Sequence, residues 1–248
     1  MRAGNTSLAT AARNTRLAMR PAAMIFDMDG LMLDTEPLAA RAWTDAAGAI
    51  GVVFDEAVKL RLVGRNFPDC ERLIREHHGH DYPVADLMRS WQKTYDAIVA
   101  REGISRKAGL TELLDWLDLQ RIPKAVATST RRARAEARLH HTGLRNRFDA
   151  LVGGDDVARG KPSPDIFLEA SARLGVPAVQ CVVLEDSEPG VRAALAGGMF
   201  AIMVPDLQAP SAALLECDVL VLPSLFDVRE LLQTLRGCAP GVMQRAAP

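Results

Sequence analysis

The sequence has few of the features that mark membrane, secreted or nucleic-acid-binding proteins. No apolar run approaches the roughly 20 residues that a bilayer-spanning helix needs. Only four cysteines occur among 248 residues, without a C-x-x-C pair, so neither a disulfide framework nor a zinc site is indicated. The formal net charge of -1 gives no cationic field for nucleic acid or an anionic membrane. We therefore expect a cytoplasmic protein, a monomer or small homo-oligomer, whose partner is a small molecule.

Short apolar runs bounded by turn residues alternate with helical periodicity along most of the chain. The predicted strands are Ala23 to Phe26, Ala125 to Ala127, Ala150 to Val152, Cys181 to Leu184, Ala201 to Val204 and Val219 to Leu222. The predicted helices are Leu110 to Leu119, Arg131 to His141, Pro164 to Leu174, Pro189 to Ala196 and Leu225 to Leu235. Strand followed by helix, repeated, predicts an α/β fold with a doubly wound parallel sheet.

This alternation is interrupted once, directly after the first strand. From residue 37 to residue 103 the pattern is almost wholly helical, which predicts an inserted helical cap domain. Its entry is marked by Asp34-Thr35-Glu36-Pro37, where a capping side chain is expected before a proline in the first helical turn. Residues 22–36 and 104–248 would then form the core domain. The first 21 residues contain four arginines and no acid, so we interpret them as a disordered extension, with an organelle transit peptide as the alternative.

Two carboxylates follow the first predicted strand. In MIFDMDGLMLDTEP the strand ends in Asp27 and Asp29, at the sheet edge where open α/β folds bind ligands. Side chains alternate along an extended strand, so Asp27 and Asp29 point the same way. Their carboxylates would repel each other unless a cation binds nearby or one of them is protonated. A bound cation and a protonated acid both suit phosphoryl transfer. Asp27 would attack the phosphorus, and Asp29 would act as the general acid and base. A bare D-x-D-G is more often a surface turn, so the hypothesis depends on the other strand ends.

Three later segments supply complementary chemistry. Thr128 and Ser129 follow a strand and precede a helix, where hydroxyl and amide groups form an anion site. Lys161 lies between a glycine and two prolines in ARGKPSPDIF, and a lysine there can offset phosphoryl charge. Glu185 and Asp186 end another buried strand, and hard oxygen ligands of this kind suit Mg2+ better than zinc or copper.

Together these motifs resemble those of the haloacid dehalogenase (HAD) superfamily, in its branch of sugar phosphatases and β-phosphoglucomutases. The resemblance is carried by D-x-D-G-x-x-x-D-T-E, the T-S-T run, G-K-P-x-P-D and the E-D pair, in that order. It implies a Rossmann-like core, a helical cap and a Mg2+-dependent aspartyl-phosphate mechanism. It also implies catalytic roles for Asp27, Asp29, Thr128 and Lys161, and phosphate binding by Thr128, Ser129 and Lys161. The implied metal site consists of Asp27, Asp29, Glu185 and Asp186, where Glu185 either binds the ion directly or holds a bound water.

The cap segment offers weaker signals. Glu36 and Arg65 are candidates for contacting the substrate beyond its phosphate, because one lies beside the junction with the core and the other in a loop. Trp43 and Trp91 fall at apolar positions of helical periodicity, which predicts core packing.

These observations favour a Mg2+-dependent phosphatase acting on small, sugar-phosphate-like metabolites. A phosphosugar mutase is the first alternative, but the histidine that β-phosphoglucomutases carry in the first cap helix is replaced here by Ala39. A non-catalytic protein that binds a phosphorylated metabolite is the second alternative. Such a protein would not need to keep both Asp27 and Asp29, and fold alone does not fix activity.

Overall fold

The structure, a computed structural model, describes residues 20–62, 65, 67–217 and 219–235, without the side chain of Leu60. The predicted N-terminal extension therefore lies outside the described residues except for its last two positions. Within the described ranges, no helix is both long enough and apolar enough to cross a membrane.

Six parallel strands form one sheet in the order β3-β2-β1-β4-β5-β6. They are β1 (Ala23–Phe26), β2 (Lys124–Ala127), β3 (Ala150–Val152), β4 (Cys181–Glu185), β5 (Phe200–Met203) and β6 (Val219–Val221). Every predicted strand is confirmed to within one residue at either end. The predicted α/β class and the doubly wound Rossmann-like core are confirmed as well.

After β1, the described residues form four helices before the chain returns to the core. They are α1 (Glu36–Ala49), α2 (Glu56–Leu62), α3 (Phe67–His78) and α4 (Val84–Glu102), which we call the helical insertion. The insertion has its own apolar cluster, which includes Trp43, Ile74 and Trp91. The helical content expected for this segment is thus present, while its division from the core as a cap domain stays a prediction.

The predicted side-chain cap of the first insertion helix is wrong. Thr35 precedes α1, but its hydroxyl makes no capping hydrogen bond. The Thr35 Oγ1 instead lies 3.5 Å from the carbonyl oxygen of Leu33. The residue has helical backbone angles, which differ from the extended geometry of a typical capping threonine.

The remaining helices cover both faces of the sheet. They are α5 (Leu110–Leu119), α6 (Arg132–His141), α7 (Asp165–Leu174), α8 (Glu188–Ala196), α9 (Ala212–Leu215) and α10 (Leu225–Thr234). Along β1, Met24 and Phe26 join the cluster with α5, α6 and α10, whereas Ile25 joins the cluster with α7, α8 and α9. This alternation buries β1 on both faces, so the functional groups that follow it lie at the strand's end.

Candidate active site

The predicted site residues of the core meet at the carboxyl edge of three adjacent strands. Asp27 follows β1, Thr128 follows β2, and Glu185 and Asp186 lie at the end of β4, while β2 and β4 flank β1 on opposite sides. The chain order reverses between β1 and β4, which is the switch point where doubly wound sheets bind ligands. The structure therefore brings these four residues to one place.

Lys161 is the buried cation of this edge. It comes from the loop before α7, and only 1% of it is exposed. Its Nζ contacts Asp27 Oδ1 and lies 2.5 Å from Glu185 Oε1. Burial alone would lower the pKa of the Lys161 amine, but the attraction of Asp27 and Glu185 outweighs burial and raises it. Lys161 is therefore a permanent positive charge between two acids.

Asp27 and Asp186 are buried carboxyl groups with other acids nearby, which makes their ionisation unfavourable. Burial raises the pKa of Asp27 to about 8, and Glu185 and Asp29 add to the shift while Lys161 opposes it. Burial, followed by repulsion from Glu185 and Asp27, raises the pKa of Asp186 well above its ordinary value. One lysine does not neutralise three buried acids, so the site favours an additional positive charge.

Glycines make room for the acids of β4. A Cβ on Gly190 would lie 1.8 Å from Glu185 Oε1, and a Cβ on Gly30 would lie 2.3 Å from Asp186 Oδ2. Glu185 Oε2 also accepts hydrogen bonds from the backbone N–H and the hydroxyl of Ser187, both at 2.9 Å. Glu185 is thus fixed by Lys161 on one oxygen and by Ser187 on the other.

Asp29 has different partners, and two of them, Arg138 and Thr130, were not predicted as site residues from the sequence. Its Oδ1 lies 2.5 Å from Arg138 Nη1, and its Oδ2 accepts a hydrogen bond from Thr130 Oγ1 at 2.7 Å. The Thr128 hydroxyl is farther away, at 3.5 Å from Oδ2. Arg138 lies in the middle of α6, next to the buried Leu139. Its place beside the apolar face of the helix was the only feature of the sequence that could have indicated a buried role.

The predicted metal-binding set is not a ready-made cluster. Among the residues that the structure describes, no three Asp, Glu, His or Cys side chains are grouped closely enough to hold an ion by themselves. Glu185 contacts Lys161 and Asp29 contacts Arg138, so their assignment as ligands stays a prediction. Asp27 contacts Lys161 as well, but Asp27 and Asp186 together suffice for Mg2+, because this ion is usually bound by one or two carboxylates together with water and phosphate oxygens.

A cleft of about 1120 Å³ lies between this edge and the helical insertion. The residues that line it include Asp27, Asp29, Thr128, Ser129 and Lys161 of the core, and Glu36, Trp43, Arg65, Phe67, Trp91 and Tyr95 of the insertion side. The candidates for substrate contact, Ser129, Glu36 and Arg65, thus all reach the same cleft.

Two insertion features modify the sequence-based interpretation. Burial, helped by repulsion from Asp29 and Asp206, raises the pKa of Glu36 to about 7. Trp43 and Trp91 are buried, as predicted, and their rings stack with centroids 5.0 Å apart. They also line the cleft, so their role is not confined to core packing.

Buried acids and a lysine at the switch point of a doubly wound sheet, facing a cleft of this size, form the kind of site in which α/β enzymes bind small molecules. The chain belongs to the haloacid dehalogenase-like hydrolase family, whose model matches residues 21–198.

The chain is similar to proteins that are named as phosphatases and to solved structures of the same fold. The chain is 37% identical over 185 residues to the fructose-1-phosphate phosphatase YqaB of Escherichia coli K12, covering 75% of this chain and 97% of the relative. It is 36% identical over 180 residues to the phosphorylated carbohydrates phosphatase of Thermotoga maritima, covering 71% and 82%. The crystal structure of CbbY from Rhodobacter sphaeroides with xylulose-(1,5)bisphosphate has a TM-score of 0.70 and 30% identity, covering 83% of this chain and 95% of that one.

Proposed function

We propose that this protein is a Mg2+-dependent phosphatase that hydrolyses small, sugar-phosphate-like esters through an aspartyl-phosphate on Asp27. The observation that carries the proposal is the buried contact between Asp27 and Lys161 at the switch point of the sheet. The named relatives, phosphatases of fructose 1-phosphate and of phosphorylated carbohydrates, support the substrate class.

In the first step, a carboxylate oxygen of Asp27 attacks the phosphorus and the bond from phosphorus to the ester oxygen breaks. Asp29 gives its proton to that leaving oxygen. The Thr128 hydroxyl, the Ser129 amide and Lys161 bind the phosphoryl oxygens, and Lys161 balances charge that would otherwise build up beside Glu185.

In the second step, water loses a proton to Asp29 and its oxygen attacks the phosphorus of the phosphorylated Asp27. The bond between phosphorus and the Asp27 oxygen breaks, which releases inorganic phosphate and restores both carboxyl groups. Mg2+, held by Asp27 and Asp186, would neutralise charge on the phosphoryl oxygens.

We infer that the helical insertion acts as a cap over this site. It forms the far wall of the cleft, where exclusion of bulk water strengthens the electrostatic interactions of the core residues. Glu36 and Arg65 would contact the part of the substrate that leaves.

Cys70, Cys181 and Cys217 are free thiols, which is consistent with the reducing cytoplasm that we propose as the compartment. Nucleic acid and membranes are not proposed as partners, and a monomer or small homo-oligomer is expected.

A phosphosugar mutase is the alternative reaction of such a site. In this chain Ala39 stands in α1 where β-phosphoglucomutases carry a histidine, and its carbonyl accepts a hydrogen bond from Trp91 Nε1 at 3.3 Å. An alanine offers no proton-transfer group to a second sugar hydroxyl, so water is the favoured acceptor. The intact pair Asp27 and Asp29 argues against a protein that only binds its ligand.

The test is phosphate release from 4-nitrophenyl phosphate with and without Mg2+. We expect Asp27→Asn to lose about a thousandfold or more of the activity, since the nucleophile is removed. The matched control is Asp45→Asn, an exposed aspartate of α1, which should behave as wild type. Equal release by wild type and Asp27→Asn would refute the nucleophile, and isomerisation of a hexose 1-phosphate without phosphate release would favour the mutase.

A further inference from the structure

Arg138 is a largely buried arginine that the mechanism above does not use. Its side chain is 13% exposed and its Nη1 lies 2.5 Å from Asp29 Oδ1, while the side chain of Asp29 is 20% exposed. The same Nη1 lies 3.3 Å from the hydroxyl of Thr130, which also contacts Asp29. Arg138 is therefore held against the residue that we assign to proton transfer.

The Arg138 guanidinium also contacts the helical insertion. Its central carbon lies 5.0 Å from the centre of the Tyr95 ring, in the range of a cation–π interaction. Tyr95 belongs to α4 and is 2% exposed. Its hydroxyl is buried and has no hydrogen-bond partner among the described residues, so the ring is the group that meets Arg138.

Arg134, one helical turn earlier on α6, provides a comparison. Its Nη2 lies 2.6 and 2.7 Å from the two carboxylate oxygens of Asp96 on α4, and the Asp96 side chain is 55% exposed. Both arginines thus join α6 to α4. Of the two, Arg138 has the contact with Asp29.

The two oxygens of Asp29 are made unequal by these neighbours. A guanidinium has only hydrogen-bond donors, so Oδ1 beside Arg138 must act as an acceptor. The Thr130 hydroxyl beside Oδ2 can rotate and either donate or accept. Oδ2 is therefore the oxygen that can carry a proton while both contacts are kept.

We propose that Arg138 is a positioning residue that orients Asp29 for proton transfer through Oδ2, and that its contact with Tyr95 links this orientation to the helical insertion. The inference rests on the proposed phosphatase function. Arg138 holds the acid that protonates the leaving oxygen, so its loss matters most for an ester whose leaving group is strongly basic.

The experiment compares phenyl phosphate with 4-nitrophenyl phosphate, two esters of similar shape. Nitrophenolate leaves readily without a proton, whereas phenolate does not. Release of the phenol is followed in a single turnover with excess enzyme and Mg2+, which isolates the first chemical step. Arg138→Gln should slow release from phenyl phosphate at least ten times more than release from 4-nitrophenyl phosphate, with little change in substrate affinity.

Arg134→Gln is the matched control, because it removes a contact between α6 and α4 without touching Asp29. It should affect both esters equally. Tyr95→Leu should also slow release from phenyl phosphate more than release from 4-nitrophenyl phosphate, but by a smaller factor than Arg138→Gln. Tyr95→Phe, which keeps the ring, should not show this selective slowing. Should Arg138→Gln fail to fold, Arg138→Lys, which keeps the charge but shortens the donor, is expected to give the same selective loss in weaker form.

Equal slowing of the two esters by the Arg138 variants would overturn the positioning role, and an unselective effect of Tyr95→Leu would overturn the link to the insertion. Failure of the underlying phosphatase function is seen separately. In that case the wild type itself would release no phenol from either ester, and Asp27→Asn would not differ from it.

Discussion

The carboxyl edge of the core and the helical insertion use charge in opposite ways. In the core, Lys161 is 1% exposed and is shared by two acids that are also buried. In the insertion, the Arg41–Glu102 pair has a similar separation of 2.5 Å, but its side chains are 48% and 33% exposed. Burial makes the first arrangement costly without its partner, whereas water screens the second. The core edge thus holds charged groups in burial at some cost in stability, whereas this pair of the insertion contributes little to stability.

The largest effect is expected when the cation of each pair, Lys161 or Arg41, is replaced in turn by methionine. Lys161→Met leaves Asp27 and Glu185 buried without a counter-charge, and breaking such a pair typically costs about 3–5 kcal/mol of unfolding free energy. We expect a clear fall in the midpoint of urea unfolding and loss of phosphatase activity. Arg41→Met should leave both quantities within experimental error.

The contrast would break if both methionine variants unfolded at the same urea concentration. A loss in Lys161→Met that grows as the pH rises above 8 would instead sharpen it. The pKa of Asp27 is raised to about 8 by burial even beside Lys161, so Asp27 stays protonated in both proteins at lower pH, and the missing counter-charge matters only once the wild-type carboxyl ionises.

The core edge was largely predictable because strand ends are local features of the sequence. Asp27, Thr128 and Glu185 each follow or end a short apolar run, and a parallel sheet collects the carboxyl ends of its strands at one edge. The sequence therefore predicted which residues meet without any knowledge of their distances. Lys161 was found through its G-K-P-x-P-D context and its resemblance to a known motif, since a lone lysine carries no such signal.

The contacts between core and insertion were not predictable in the same way. Arg138 and Tyr95 lie in the middle of two helices, and helical periodicity fixes the face of a residue but not the neighbour that this face meets. Trp91 shows the same limit, because an apolar position is compatible with the interior of the insertion and with the wall of a cleft. The predicted side-chain cap of α1 failed for a related reason, since the hydroxyl of Thr35, the residue at the cap position, had a competing partner in the backbone nearby.

A second, intermediate effect concerns Asp186 and the proposed metal. Its raised pKa means that the folded state holds a proton more tightly than the unfolded state, so this group reduces stability progressively as pH rises above its ordinary pKa. Without metal, Asp186→Asn should therefore raise the melting temperature at pH 8 by more than it does at pH 5. Thermal melting in EDTA, compared at pH 5 and pH 8, measures this gain.

Added Mg2+ should reverse the order of the two proteins. It should stabilise the wild type by binding to the folded state and have little effect on Asp186→Asn. Asp45→Asn on the exposed face of α1 should melt like wild type with and without the ion. Equal Mg2+ shifts in wild type and Asp186→Asn would show that Asp186 is not a ligand, and would remove the main electrostatic distinction between the core edge and the insertion.

The smallest effect should come from Phe67, on the insertion side of the cleft. Phe67 is 39% exposed, and its ring meets Trp91 edge-on with centroids 5.5 Å apart. Phe67 lines the cleft, so Phe67→Ala should raise the KM for phenyl phosphate by roughly three- to tenfold, the range of one aromatic contact, while kcat and melting temperature change little. Val53→Ala, a truncation at an 85% exposed position of the insertion, is the control and should alter neither constant. A fall in kcat with an unchanged KM would mean that the insertion takes part in the chemical step, because a wall that only binds the leaving group contributes equally to the ground state and the transition state.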